Sequence, residues 1–203
     1  MGRLAVAIDE PNAPPLGHAV LSHPHPLFGG TMDNKVVQTM ARALVQVGWR
    51  VLRFNFRGVG DSAGQYADGV GERDDLQAVV DALAPSGPLV LGGFSFGAAV
   101  TSHGVVRAFE AGRQVSAVLL VGTAASRFEV APVPAVWHAR TLVVHGEHDE
   151  TVPCAAALDW ARPQGLAVTV VPGGEHFFHG RLPQLKALVV RHMDGVQGLQ
   201  GEN

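Results

Sequence analysis

The strongest chemical signal in the sequence is the segment 93–97, in which Ser95 has a glycine two residues away on either side. An apolar run, 88–91, precedes this Gly-x-Ser-x-Gly pattern, and a stretch of small residues, 98–100, follows it. Such a short pattern arises often by chance, so the prediction depends on this strand–turn–helix context. A tight turn between strand and helix lifts a serine hydroxyl above a sheet, and the helix N–H groups then face developing negative charge. We therefore predict Ser95 as a nucleophile.

Two later segments offer a base and an acid for this serine. A serine hydroxyl becomes nucleophilic when an imidazole accepts its proton and a carboxylate orients that imidazole. Asp149 follows the apolar run 142–144, and His176 follows the apolar run 168–171, so both lie just beyond predicted strands. We predict Asp149 as the acid and His176 as the base. Three neighbours remain as alternatives for these roles: Glu147, Glu150 and His179.

The segment His23–Gly30 is predicted to help bind the oxyanion. One donor usually comes from the residue after the nucleophile, here Phe96, and the other comes from a loop after a neighbouring strand. The two prolines of this segment have no N–H, which leaves His25 or Leu27, and we favour His25. His23 and His25 also form a His-x-His pair, but zinc normally takes three or four ligands and no convincing further ligand is nearby. Neither a metal nor a cofactor is expected.

Short apolar runs alternate with helical patterns along the chain, which is typical of a mostly parallel central sheet flanked by helices on both faces. The runs are rich in Val and Leu without alternation, which indicates strands that are buried on both faces. The predicted strands are Leu4–Ile8, His18–Ser22, Arg50–Asn55, Pro88–Gly92, Ser116–Gly122, Arg140–His145 and Ala167–Val171.

Five helices are predicted around these strands. The first contains regularly spaced apolar residues and stops at Gly48, and the second carries acidic residues in its first turn, where the helix dipole favours them. The third begins after Ser95, the fourth begins near Cys154, and the last has Pro183 near its first turn. Residues 1–194 are predicted to form a single domain, and residues 195–203 are predicted to form a frayed tail.

Composition narrows the function classes. The chain has 203 residues, 47% of them hydrophobic, and this length suits one domain with a sizeable core. It carries 15 basic and 18 acidic residues without a long basic run, so neither nucleic acid nor a membrane surface is an expected partner. Cys154 is the single cysteine, and the chain has no long apolar segment, which together predict a cytoplasmic protein. The oligomeric state is not predicted.

Taken together, these residues resemble the α/β-hydrolase superfamily across nearly the whole chain. The segment His23–Lys35 is similar to one that marks a small bacterial group of lidless serine hydrolases within it. The segment Phe54–Ser62 is similar to a common superfamily stretch that shapes the turn after a central strand, which implies structural roles for Arg57 and Asp61. The resemblance implies an α/β-hydrolase fold. The residues between the fifth and sixth predicted strands, 123–139, are too few for a cap domain.

The function predicted on this basis is hydrolysis of a small-molecule carboxylic ester through an acyl-enzyme intermediate, in an open groove. Three phenylalanines are predicted as its apolar, substrate-binding walls: Phe28, Phe94 and Phe177. A thioesterase or an amidase with the same triad is an alternative, because all three acyl classes use this machinery. A non-catalytic binding protein on the same fold is the alternative from a different class.

Overall fold

A seven-stranded sheet lies at the centre of the computed structural model, which describes residues 2–200. The strands lie in the order β1-β3-β2-β4-β5-β6-β7, and each neighbouring pair is parallel except β1 with β3. Every predicted strand is present, with no end displaced by more than two residues. Their bounds are β1 Val6–Asp9, β2 His18–Ser22, β3 Arg50–Phe54, β4 Leu89–Phe94, β5 Ala117–Val121, β6 Thr141–Gly146 and β7 Thr169–Val171.

Helices cover both faces of this sheet, as the sequence predicts. Apolar residues of α1 and α5 form one buried cluster with the sheet, and those of α2 and α3 form a second cluster on the other face. The bounds are α1 Lys35–Gln46, α2 Val70–Leu83, α3 Phe96–Glu110, α4 Cys154–Ala161 and α5 Leu182–Gln200. Residues 195–200, expected in a frayed tail, belong to α5, and residues 201–203 lie outside the described residues.

Side chains just before or inside the first turn of α1 and α2 satisfy the free N–H groups there. The Asn34 side chain accepts a hydrogen bond from the Val36 N–H at 2.9 Å at the start of α1. The carboxylate of Glu72, fully buried, accepts from the Gly69 N–H at 2.8 Å and from the Ala67 N–H at 2.9 Å. Glu72 in the first turn of α2 thus caps the start of the helix, and its negative charge also interacts favourably with the helix dipole.

Arg57 ties the segment after β3 to α2. Its guanidinium donates to the buried carboxylate of Asp75, with a shortest contact of 2.7 Å, and its backbone N–H donates to the same carboxylate. This double attachment agrees with the structural role that the sequence implies for Arg57. Asp61, the other residue expected to be structural, is exposed.

The carboxyl ends of the parallel strands all lie at one edge of the sheet, where α/β proteins bind their ligands. The segments after β2, β4, β6 and β7 emerge at this edge and carry the predicted site residues. Between β5 and β6 the chain forms only a short 3-10 helix, Ala135–Arg140. Within the described residues, therefore, no cap domain is inserted over the site. No helix in residues 2–200 combines the length and the apolar character needed to cross a bilayer.

Candidate active site

The turn that holds Ser95 is a strained strand-to-helix turn. Ser95 has φ 56° and ψ −116°, a region that residues with a side chain rarely adopt. A Cβ atom at Gly93 would collide with the carbonyl group of Gly97, and a Cβ atom at Gly97 would collide with the carbonyl group of Ser22. The Ser95 N–H donates to the carbonyl oxygen of Val121 at 2.9 Å. Close backbone packing on both sides therefore keeps the serine in this conformation.

The structure brings the predicted nucleophile, base and acid into one hydrogen-bonded chain. His176 Nε2 lies 3.0 Å from Ser95 Oγ, and His176 Nδ1 lies 2.6 Å from Asp149 Oδ2. All three side chains are buried. Because a carboxylate only accepts hydrogen bonds, Nδ1 carries the proton and Nε2 is left to accept the proton of the serine hydroxyl.

The alternative acids and base lie outside this hydrogen-bonded chain. The carboxylate of Glu147 accepts a hydrogen bond from the Gly173 N–H at 2.9 Å. His179 is exposed and lies 3.0 Å from the carboxylate of Glu175, while Glu150 is also exposed. None of these side chains joins the chain that contains the serine, so the geometry favours the Asp149 and His176 assignments.

Three hydrogen bonds and a longer contact with His145 hold Asp149 in place. Its Oδ1 accepts from the Thr151 N–H at 2.9 Å and from the Val152 N–H at 2.7 Å, and its Oδ2 lies 3.3 Å from His145 Nε2 in addition to His176. Burial by itself raises the pKa of the Asp149 carboxyl, but the contacts with His145, His176 and the Val152 amide outweigh it. They hold the pKa well below its usual value. Asp149 therefore stays ionised beside the imidazole.

The predicted phenylalanine walls divide into two groups. Phe28 and Phe177 line a groove of about 560 Å³ that also contains Ser95 and His176, and Phe28 is 85% exposed. Phe94 does not line the groove, because its side chain points into the core and is fully buried. Its ring centroid lies 5.0 Å from that of His176, so Phe94 supports the imidazole instead of facing the groove.

The geometry favours the His25 amide over the Leu27 amide as an oxyanion donor. The Leu27 N–H already donates to His25 Nδ1 at 3.2 Å, and the Leu27 side chain is largely exposed outside the groove. His25 and Phe96 both line the groove with Ser95. Among the described residues, no acceptor engages the N–H of either one. Two unengaged amides beside the serine hydroxyl are what an oxyanion site requires.

His23 anchors the loop that carries His25. Its imidazole is fully buried, with Nδ1 2.6 Å from the Pro24 carbonyl oxygen and Nε2 accepting from the Phe56 N–H at 3.0 Å. Burial lowers the pKa of His23 to about 4, although the Pro24 carbonyl opposes this shift. Both ring nitrogens are thus occupied, and in residues 2–200 no group of three potential ligands could hold a metal ion.

The comparisons with known proteins agree with this fold. The model of the family described as "Alpha/beta hydrolase domain" matches residues 19–186. The chain belongs to this alpha/beta hydrolase family. A serine hydrolase without a lid from Xanthomonas campestris has 38% identity and a TM-score of 0.81, with 94% of this chain and 88% of that chain covered. An alpha-beta serine hydrolase homologue from Coxiella burnetii has 38% identity and a TM-score of 0.78, with 94% and 91% covered.

A curated relative of this alpha/beta hydrolase, an uncharacterized protein from Rickettsia prowazekii, is 48% identical over 111 residues. The match covers 52% of this chain and 44% of that protein, so the chain matches less than half of the relative's length.

Some site residues of this alpha/beta hydrolase have weak sequence signals. His145 is a polar residue at the end of the buried strand β6, and this unusual placement is a usable signal. Arg127, Phe128 and Asn34 line the groove, but they come from irregular segments or a helix cap. Nothing in their local pattern indicates that they meet Ser95.

Proposed function

We propose that this alpha/beta hydrolase hydrolyses carboxylic esters through an acyl-enzyme intermediate on Ser95. The single observation that carries the proposal is the buried hydrogen-bonded chain from Ser95 Oγ through His176 to Asp149. An ordinary surface serine has no such neighbours, and this arrangement activates a serine for attack on a carbonyl carbon in enzymes of several unrelated folds.

In the first half of the reaction, Ser95 Oγ attacks the carbonyl carbon while His176 Nε2 accepts its proton. Negative charge then forms on the carbonyl oxygen, where the N–H groups of His25 and Phe96 donate hydrogen bonds. The carbon–oxygen bond to the alcohol breaks, and His176 returns the proton to the departing alcohol. Asp149 remains ionised and stabilises the imidazolium throughout.

In the second half, water replaces the alcohol. His176 accepts a proton from the water molecule, whose oxygen attacks the acyl carbon, and the same two amides bind the oxyanion again. The bond to Ser95 Oγ then breaks, the serine regains its proton from His176, and the carboxylic acid leaves. Within residues 2–200, no cap covers the groove. This open site favours substrates with a short acyl group, or esters carried on a larger molecule. It is less suited to a long acyl chain, which needs an enclosed pocket.

The test is turnover of three acyl donors that share one butyryl group: an aryl ester, a thioester and an anilide. We expect the ester to be hydrolysed fastest. We also expect Ser95→Ala to lower kcat by a factor on the order of 10⁴ or more, with the folded structure retained by circular dichroism. Preferential thioester or amide turnover would reassign the leaving group. Equal turnover in Ser95→Ala, or none in the wild type, would contradict the proposal and favour a binding protein.

A further inference from the structure

The groove that contains Ser95 has an uneven charge distribution. Its lining includes one arginine, Arg127, and two histidines, but neither an aspartate nor a glutamate. The rest of the lining is largely apolar, with the rings of Phe28, Phe96 and Phe128. The permanent charge among these lining residues is therefore a single positive one, in a chain whose net charge is −3.

Arg127 is anchored but not neutralised. Its Nε donates to the Thr151 carbonyl oxygen at 3.1 Å, which attaches the side chain to the loop after Asp149. In the described part of the chain, its two terminal amino groups have neither a hydrogen-bond acceptor nor an ion-pair partner. Glu129, the nearest acid in sequence, instead forms an ion pair with Arg73 at 3.4 Å.

Two other arginines show what a structural guanidinium looks like in this molecule. Arg53 has both Asp9 and Asp33 as partners, at 2.6 Å and 3.0 Å. Arg57 is paired with Asp75. Arg127 differs because its free amino groups are exposed at the groove, and a guanidinium with two free amino groups binds a carboxylate through two parallel hydrogen bonds.

We propose that Arg127 is a specificity residue that selects acyl substrates bearing a carboxylate in addition to the ester. This inference rests on the proposed ester hydrolysis at Ser95 and names its substrate class. The apolar lining accommodates the hydrocarbon part of the substrate, while Arg127 binds the carboxylate. The carboxylate belongs either to the acyl half or to the alcohol half of the ester, and each half is tested separately.

The experiment uses two matched ester pairs. In the acyl pair, the p-nitrophenyl monoester of adipic acid is compared with its neutral methyl ester. In the alcohol pair, 4-acetoxybenzoate is compared with methyl 4-acetoxybenzoate. Wild type, Arg127→Lys and Arg127→Met are assayed at low and at high ionic strength, because added salt screens a charge contact at an exposed site.

We expect Arg127→Met to lower kcat/KM for the anionic member of one pair about tenfold, the size of one charge-assisted hydrogen bond. Arg127→Lys keeps part of the preference because it keeps the charge, and high salt reduces the preference in the wild type. Turnover of the neutral member falls by a smaller factor than turnover of the anionic member, so the ratio of their two kcat/KM values is the readout. The pair that responds identifies the half of the ester that carries the carboxylate.

A purely structural Arg127, which only joins its segment to the Thr151 loop, gives a different result. Arg127→Met would then lower turnover of neutral and anionic esters equally, and this outcome would overturn the proposal. An equal preference for the anionic over the neutral ester in wild type, Arg127→Lys and Arg127→Met would also overturn it.

A binding measurement keeps this inference separate from the proposed function. The same esters are titrated into Ser95→Ala and into Ser95→Ala/Arg127→Met, where binding requires no turnover. Tighter binding of the anionic ester that Arg127→Met abolishes supports the inference even if no ester is hydrolysed. Equal affinity of both proteins for the anionic ester rejects the inference even if neutral esters are hydrolysed.

Discussion

The turn around Ser95 and the loop His23–Gly30 each carry one of the two predicted oxyanion donors, the Phe96 N–H and the His25 N–H, but they are held in different ways. Backbone packed on backbone holds the turn, where a Cβ atom at Gly93 or at Gly97 has no room. In the loop, backbone packing is as close only at the end, where a Cβ atom at Gly30 would collide with the Pro24 carbonyl group. A buried imidazole, His23, anchors the start of the loop through the Pro24 carbonyl oxygen and the Phe56 N–H.

This difference suggests a division of roles, in which the turn positions the nucleophile and the outer part of the loop shapes the substrate groove. The turn leaves no room for a side chain at Gly93 or Gly97, so we expect its geometry to be the same with any substrate. The outer part of the loop is free, because Leu27 is 67% exposed and Phe28 is 85% exposed. A change at Phe28, which lines the groove, should therefore alter the groove without moving the nucleophile, provided that His23 keeps its two contacts.

The largest effect is expected from a methyl group in the turn. Gly97→Ala should lower the free energy of unfolding by more than about 3 kcal/mol, because backbone carbonyl groups cannot move aside as a flexible side chain can. Gly29→Ala is the matched change in the loop, where a Cβ atom meets nothing within 4 Å. It should cost only about 1 kcal/mol for its positive φ. Urea unfolding measures both, and equal losses would break the comparison.

The His25 amide is tested by a substitution that removes only a backbone donor. His25 has φ −53°, which proline accepts, so His25→Pro deletes the N–H without a forced change of φ. His25→Ala is the control, since it removes the ring and keeps the amide. We expect kcat for His25→Pro to be roughly a hundredfold below that of His25→Ala, about 3 kcal/mol of transition-state stabilisation. Similar kcat values in the two variants would return the role to Leu27.

The loop anchor should make stability depend on pH. The pKa of His23 is lowered by burial from its ordinary 6.5 to about 4, so the unfolded chain takes up this proton more readily than the folded one. The stabilisation by neutral His23 is therefore complete above the unfolded value of 6.5. It falls as the pH drops from there towards 4. We expect His23 to account for about 2 kcal/mol of the loss in unfolding free energy between pH 7 and pH 5.

His23→Gln is the matched variant, because its amide oxygen can still accept a hydrogen bond and the side chain does not titrate. Urea unfolding at several pH values should give a flatter dependence for this variant than for the wild type. The two proteins are compared by the slope of unfolding free energy against pH, because the substitution also lowers the unfolding free energy by a constant amount at every pH. Parallel curves for the two proteins would show that His23 does not couple the loop to pH.

The smallest effect on stability is expected at the exposed tip of the loop. Phe28→Ala should change the free energy of unfolding by less than about 0.5 kcal/mol, because the ring is mostly in solvent. The ring also lines the groove, 4.8 Å from that of His25, so KM for an apolar ester should rise a few-fold while kcat stays constant. A large loss of stability, or a fall in kcat with KM unchanged, would contradict the view that the tip of the loop affects only substrate binding.

Sequence patterns predicted the strands, the five helices and the residues that meet at the sheet edge, because those signals are local. A buried parallel strand needs a continuous apolar run, and the turn around Ser95 needs its two glycines. The position of Phe94 could not be predicted in this way, since the motif does not reveal which neighbour of the serine points into the core. Arg127 contacts the Thr151 carbonyl oxygen only because the tertiary fold brings the two segments together, so no local sequence pattern predicts this contact.

The most direct test of an activated Ser95 is reaction with a fluorophosphonate, followed by measurement of the intact protein mass. An activated serine oxygen forms a bond to phosphorus and displaces fluoride, whereas an ordinary hydroxyl reacts far more slowly. We expect one adduct on the wild type and none on Ser95→Ala, with both proteins folded. A folded wild type that remains unlabelled, or a Ser95→Ala variant that labels equally, would contradict the assignment of Ser95 as the nucleophile.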